Sequence, residues 1–246
     1  ISLSLSLHHF WTTRWAFFLL YLNLYPFSNL GTGKTSCIVE CVVQILKHKP
    51  DSKIFVTAQS NSACDEVGER LLKYLHISKI FRYYSPSLLK CDKEISENLL
   101  PTSNIRDLKT SVEFQSEEEL KHFPVTICTL TSSLKFDRAG LQKHFDYIFI
   151  DECAATTEPE VLIPIVGLGC VKNSIYSNIV LIGDHKQLPP VIKSDFAKHL
   201  ELDVSLMERM MKLDRYKSDI HNHYVTQLLD NYRSHPAILH FSNVEF

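Results

Sequence analysis

In the run GTGKTSCIVE, residues 31 to 40, two glycines precede a lysine and a threonine, and an apolar, helix-forming stretch follows. At Gly31 and Gly33 the backbone N–H groups can turn inward around phosphate oxygens, where a side chain would block the approach. Lys34 would reach the β- and γ-phosphates of a nucleotide, and the Thr35 hydroxyl would ligate magnesium. A helix beginning here directs its positive end at the same anion. The full loop pattern G-x-x-x-x-G-K-[ST] asks for an earlier glycine where Ser28 stands. Taken alone, the run is therefore balanced between a phosphate loop and an ordinary glycine turn at a helix start.

Two later segments shift that balance. YIFIDECAATTEPE (147–160) is an apolar strand closing on Asp151 and Glu152. A carboxylate at the tip of a strand beside a phosphate loop suits magnesium, and the adjacent glutamate can polarise an attacking water. Asp151 is thus the metal-side residue and Glu152 the general base, with an acidic helix cap as the bland alternative. NIVLIGDHKQLPP (178–190) ends in Gly183-Asp184 and then Gln187. The amide of Gln187 can donate and accept, so it can sense a γ-phosphate or the attacking water.

Elements able to hold these residues in place are legible around them. Apolar β-branched and aromatic runs at 53–58, 125–130, 147–151 and 178–184 read as strands covered on both faces. Helical patterns fall at 34–47, 62–75 and 204–212, and another begins near Pro236. The polar stretch 90–122, with SEEEL at 116–120, reads as an insertion or a surface helix. Strands alternating with helices imply an α/β fold with a parallel sheet.

Hydrophobic content of 45% and charged content of 22% are those of a globular protein. A net charge of -2 gives no global attraction to polyanions, so any such binding rests on local cations and oriented amides. The seven cysteines, Cys37, Cys41, Cys64, Cys91, Cys128, Cys153 and Cys170, contain no C-x-x-C pair and lie in apolar stretches, as reduced thiols do. Residues 10–27 are strongly hydrophobic, but Arg14 and Asn23 interrupt them, and no membrane span is expected. They read either as a buried strand leading into the phosphate loop or as sequence foreign to the domain.

GTGKT, DECAATTEPE, GDHKQLPPV and NYRSHPAIL (231–239), in this order and spacing, resemble the motif series of superfamily 1 helicases of the Upf-one-like group. TAQSNSACD (57–65) is similar to that group's nucleic-acid-contacting motif Ia, and EPEVLIPIVGL is most similar to the Armitage/Mov-ten RNA helicases. The resemblance implies a RecA-like P-loop NTPase domain with a parallel sheet and helices on both faces, plus the start of a second RecA-like domain. It divides the chain into an atypical hydrophobic segment at 1–29, a first RecA-like domain at 30–222 and a second, truncated one at 223–246. Residues 28–30, Ser-Asn-Leu, depart from the family's Gly-Pro-Pro.

Carried over by position, the resemblance assigns ATP to Gly31, Thr32, Gly33, Lys34 and Thr35, and magnesium to Thr35 and Asp151. It makes Glu152, Gln187 and Arg233 catalytic, Arg233 as an arginine finger neutralising charge on the transferred phosphoryl group. Tyr232 would stack on adenine or be an ordinary buried tyrosine. Ser60, Asn61, Ser62, Thr129 and Thr131 would contact phosphates of single-stranded RNA without reading bases, or merely cap local helices. The implied activity is 5′-to-3′ ATP-dependent RNA unwinding or ribonucleoprotein remodelling in small-RNA silencing, in cytoplasmic granules and with Argonaute-type partners. The alternatives are a non-catalytic RNA- or partner-binding fragment and a DNA helicase of the same group.

Overall fold

The computed structural model describes residues 17–21, 33–90, 95–107, 111–112, 116–172, 174–184, 188–216 and 224–228. In chain order the first elements are β1 (Phe17–Tyr21), α1 (Lys34–His48), β2 (Ile54–Ala58), α2 (Asn61–Leu71), β3 (Ile80–Arg82), β4 (Ile105–Asp107), β5 (Ser111–Val112), α3 (Glu117–His122) and β6 (Val125–Thr129). They are followed by α4 (Leu134–Arg138), β7 (Tyr147–Ile150), α5 (Glu158–Gly169), β8 (Cys170–Val171), β9 (Ser174–Ile175), β10 (Asn178–Gly183), α6 (Asp195–His199), α7 (Leu206–Met211) and β11 (Val225–Gln227). The chain forms two compact units, the first of residues 35–151 and 162–177, the second of 1–34, 152–161 and 178–246.

The first unit is built on four parallel strands in the order β7-β2-β6-β3. Every residue of these strands is buried, which is why their sequences are runs of Ile, Val, Phe and Tyr rather than alternations. Phe55 lies at the centre of an aromatic cluster, with ring centroids 5.5 Å from Phe136 and 4.9 Å from Phe145. Tyr83 meets Phe136 edge-on at 5.5 Å, a geometry that adds about 0.5–1.5 kcal/mol per pair beyond area burial. Helix α1 buries a stripe of Cys37, Ile38, Cys41, Val42, Ile45 and Leu46 and ends on Lys47 and His48, which complement its negative end.

The expected strands and helices 34–47 and 62–75 are present within a few residues, and the parallel α/β class is observed. The stretch 90–122 holds the short antiparallel pair β4–β5 and the surface helix α3. Its acidic run is the first turn of α3, where Ser116 and Glu119 form a reciprocal capping box and Leu120 is the buried contact. Strand β3, helix α4 and helix α5 were not expected. β3 is too short to show a period, and Pro164 inside α5 masks that helix.

In the second unit, β11, β1 and β10 run parallel, with Tyr21 level with Gly183. Helix α7 buries Leu206, Met207 and Met210 and is capped by Ser205, whose hydroxyl accepts from Glu208 N at 3.2 Å. The expected helix near Pro236 lies outside the described residues.

Among the described residues, Cys37, Cys41, Cys64, Cys128, Cys153 and Cys170 are in no disulfide, and Cys91 lies outside those residues. Burial pushes the Cys64 thiol up to about 11 and that of Cys128 well above the ordinary value, so both stay protonated. No helix among the described residues is long and apolar enough to cross a membrane.

His144 introduces a pH dependence into the first unit. Its Nε2 is buried without a hydrogen-bond partner among the described residues. Burial, aided by Lys53 and Lys121 and opposed by Asp146 and Glu117, pushes its pKa from 6.5 down to about 4. The folded chain therefore binds this proton less readily than the unfolded chain. The resulting loss of stability is absent above pH 6.5 and grows as pH falls towards 4. His144→Gln should flatten the decline of the thermal midpoint in that window and leave its slope above pH 7 unchanged; equal slopes in parent and variant would contradict this.

Candidate functional site

Gly33 has φ +84°, in the left-handed region, and the next residue, Lys34, is the first of α1. No acidic residue occupies the first turn of α1, so its N–H groups and positive end are uncompensated by the helix's own side chains. Lys34 and Thr35 are half-buried, and Ser36 is exposed. The Ser36 hydroxyl accepts from Arg70 Nη1 at 2.9 Å, and Arg70 is itself held by Glu66 at 2.5 Å. Gly31 and Thr32 lie outside the described residues.

Asp151 follows β7 directly and is 4% exposed. Its backbone N–H donates to Thr57 O at 2.8 Å, which ties it to the end of β2. Glu152 then adopts the left-handed conformation, φ 53°, and opens a 3-10 turn over Cys153–Ala155. Thr156 Oγ1 donates back to Glu152 O at 3.2 Å and secures the turn. Through that reversal two consecutive carboxylates acquire opposite environments, Asp151 buried and Glu152 exposed. A buried carboxylate suits a cation, and an exposed one suits exchange of a proton with water.

The loops after β2 and β6 leave the same edge as Asp151. Ala58 pairs with Thr129 and Thr57 with Ile150, so the three strands end side by side, and Leu130 N donates to Ala58 O at 3.0 Å. Ser60 caps α2, its hydroxyl accepting from Ala63 N at 3.1 Å, and it lies 3.1 Å from the Ser62 hydroxyl. Asn61 Oδ1 accepts from Arg82 Nη2 at 2.9 Å. Thr129 Oγ1 donates to Ser132 Oγ at 2.9 Å, while exposed Thr131 opens a 3-10 turn over Thr131–Ser133. All five candidates for nucleic acid thus lie where β2 gives way to α2 and where β6 gives way to the turn after it, at the edge where parallel α/β sheets hold their ligands. Ser60 and Thr129 also serve the local capping that their residue types suggest.

Sequence reasoning overlooked Arg82, the largest fully buried side chain in the described structure. Nε of Arg82 donates to Asp65 Oδ1 at 2.7 Å, Nη1 to Tyr83 O at 2.6 Å, and the guanidinium stacks 4.1 Å from the Tyr84 ring centroid. Burial works against the charge of Arg82, and the Asp65 carboxylate, which also accepts its hydrogen bond, overcomes it, leaving its pKa raised. The available signal was an arginine inside the apolar run KIFRYY, a position that demands acceptors on all sides.

In the second unit, β10 ends where the turn after Glu152 packs. A Cβ added to Gly183 would stand 2.9 Å from Ala154 N and 3.1 Å from Met207 Sδ. Cys153 Sγ donates to Met207 Sδ at 3.6 Å, and Arg209 grips Glu158 with two hydrogen bonds of 2.7 Å. Asp184 is 3% exposed. Gln187, Tyr232 and Arg233 lie outside the described residues.

A parallel α/β sheet with Lys34 opening a helix and paired acids closing a strand defines the RecA-like P-loop class. A family model described as AAA domain matches residues 26–115 and 101–195, and the chain belongs to that family. Among curated relatives, the helicase mov-10-B.1 of Danio rerio is 38% identical over 227 residues, covering 89% of this chain and 22% of its own length. The RNA helicase Mov10l1 of Homo sapiens is 38% identical, covering 87% of this chain and 17% of the relative. The RNA helicase armi of Drosophila melanogaster is 27% identical, covering 87% of this chain and 20% of the relative. The resemblance to Mov-ten and Armitage helicases thus extends over most of the chain, which spans about a fifth of the length of these relatives.

The close approach at Gly183 can be tested directly. Gly183→Ala forces the new methyl group against the Ala154 backbone and should cost about 1–3 kcal/mol. In urea denaturation the midpoint should drop with the m-value unchanged; a midpoint equal to the parent's would show that the turn yields freely.

Proposed function

We propose that this chain carries the nucleotide-binding lobe of an ATP-dependent RNA helicase of the small-RNA silencing type. Residues 30–222 form the first RecA-like domain and 223–246 belong to a second. The observation that carries this reading is Gly33 in left-handed backbone directly before Lys34 and Thr35, at a helix whose own first turn carries no acidic residue. The backbone of Gly31, Thr32 and Gly33, with Lys34, holds the phosphates of ATP, and Tyr232 stacks on the base. Thr35 and Asp151 hold magnesium, which when bound neutralises phosphate charge. Support for this fit comes from the donor set itself, a hydroxyl at the helix start and a buried carboxylate at a strand end.

Glu152 accepts the proton of the attacking water, Gln187 orients that water, and Arg233 neutralises charge on the phosphoryl oxygens. Single-stranded RNA lies along Ser60, Asn61, Ser62, Thr129 and Thr131, held through phosphates, so that the protein can move on any sequence. The direction is 5′ to 3′, the partners are Argonaute-type silencing proteins and the setting is cytoplasmic ribonucleoprotein granules. Supporting this reading are the relatives described above, whose names denote helicases and RNA helicases.

ATP turnover of the chain, measured with and without single-stranded RNA, tests the proposal. RNA should stimulate turnover, and Lys34→Ala or Glu152→Gln should each lower kcat by about 100-fold or more. Turnover indistinguishable from both variants, with RNA binding retained, would replace the motor by a non-catalytic RNA-binding module. Equal stimulation by DNA and RNA would remove the RNA preference.

A further inference from the structure

The guanidinium of Arg82, which the site chemistry does not use, is 0% exposed, and nearly every direction around it is accounted for. Nε faces Asp65 Oδ1 at 2.7 Å, Nη1 faces Tyr83 O at 2.6 Å, and Nη2 faces Asn61 Oδ1 at 2.9 Å and Asn61 O at 3.4 Å. Tyr84 OH donates to the same Asp65 oxygen at 2.9 Å, and its ring covers the guanidinium face at 4.1 Å. Asn104 closes the cluster from behind, accepting from Tyr84 N at 2.7 Å and donating to Tyr84 O at 2.9 Å. Arginine has donors and no acceptor, so the Asn61 atom turned towards it must be the carbonyl oxygen. The amide NH2 of Asn61 is then directed away from Arg82, at a loop whose neighbours Ser60 and Ser62 are half-buried and exposed.

We infer that Arg82 is a positioning residue for RNA: by holding Asn61 through its carbonyl oxygen, it makes the loop after β2 present an amide donor, suited to a backbone phosphate. The inference rests on the proposal that this loop contacts RNA, and it adds the polarity of the contact and the group that sets it. Presenting the oxygen instead would turn a lone pair towards a phosphate and repel it. Lysine cannot replace Arg82, because one ammonium cannot reach Asp65, Tyr83 O and Asn61 in a fixed plane.

Binding of a fluorescein-labelled oligouridylate to the full chain, followed by anisotropy, tests this. Arg82→Lys should weaken binding about tenfold, while Tyr84→Phe, which loosens the same cluster without touching Asn61, should stay within about twofold. Equal losses in both variants would make Arg82 merely structural, and an unchanged Arg82→Lys would overturn the inference. If Arg82→Lys does not fold, Asn61→Asp decides. The variant keeps an oxygen towards Arg82 and removes the donors, so its thermal midpoint should equal or exceed the parent's while binding falls at least tenfold. A lower midpoint, or intact binding, overturns the assigned polarity. Failure of the parent chain to bind the oligonucleotide would defeat the RNA reading instead. Amide exchange of the RNA-free chain then still reads the Arg82–Asn61 link: Arg82→Lys should speed exchange at 60–65 and spare 125–129, and unchanged protection at 60–65 overturns it.

Discussion

Strands β2, β6 and β7 are buried along their whole lengths, so polar side chains that meet solvent or ligand are confined to the places where they end. Because the strands are parallel, those ends lie on one edge. Asp151, the Ser60–Ser62 loop and the Thr129–Thr131 loop gather there as a consequence of burial, since the strand interiors have no tolerance for them. Hydrogen bonds between neighbouring strand ends, Asp151 N to Thr57 O and Leu130 N to Ala58 O, fix the level at which each loop departs.

Polar side chains buried inside the sheet, such as Thr57 and Thr126, otherwise carry only small hydroxyls; Arg82 is the charged exception. A guanidinium with no access to water costs several kcal/mol unless its charge and donors are matched, and here Asp65, Tyr83 O, Asn61 and the Tyr84 ring supply the match. Two of those groups, Asn61 and Asp65, belong to the SNSACD run, so the charge that must be satisfied within β3 also orders the first turns of α2. Packing and ligand geometry are coupled at this point. The second unit makes a comparable connection by close contact instead of charge, where Gly183 lets the turn after Glu152 lie directly on the end of β10.

Apolar runs with period-free burial are strong signals, so β2, β6, β7 and β10 were legible almost to the residue. The placing of Lys34 at a helix start and of Asp151 and Glu152 at a strand end was legible too, because the surrounding residue types mark those element ends. The reach of sequence stopped where tertiary partners decide. A three-residue strand such as β3 has no period to read, and Pro164 argued against a helix that its surroundings nonetheless impose. Asn61 was legible as a polar loop residue, but the direction of its amide depends on an arginine twenty-one positions later. The left-handed backbone at Glu152 was equally hidden, since glutamate carries no preference for it.

That backbone has a further consequence. A side chain with a Cβ costs roughly 1–2 kcal/mol in the left-handed region, and glycine would occupy the position without strain. Selection for thermal robustness alone would therefore drift towards glycine at 152 and discard the exposed carboxylate. The strain at 152 and the exposed carboxylate come together, so glycine there would relieve the one only by removing the other.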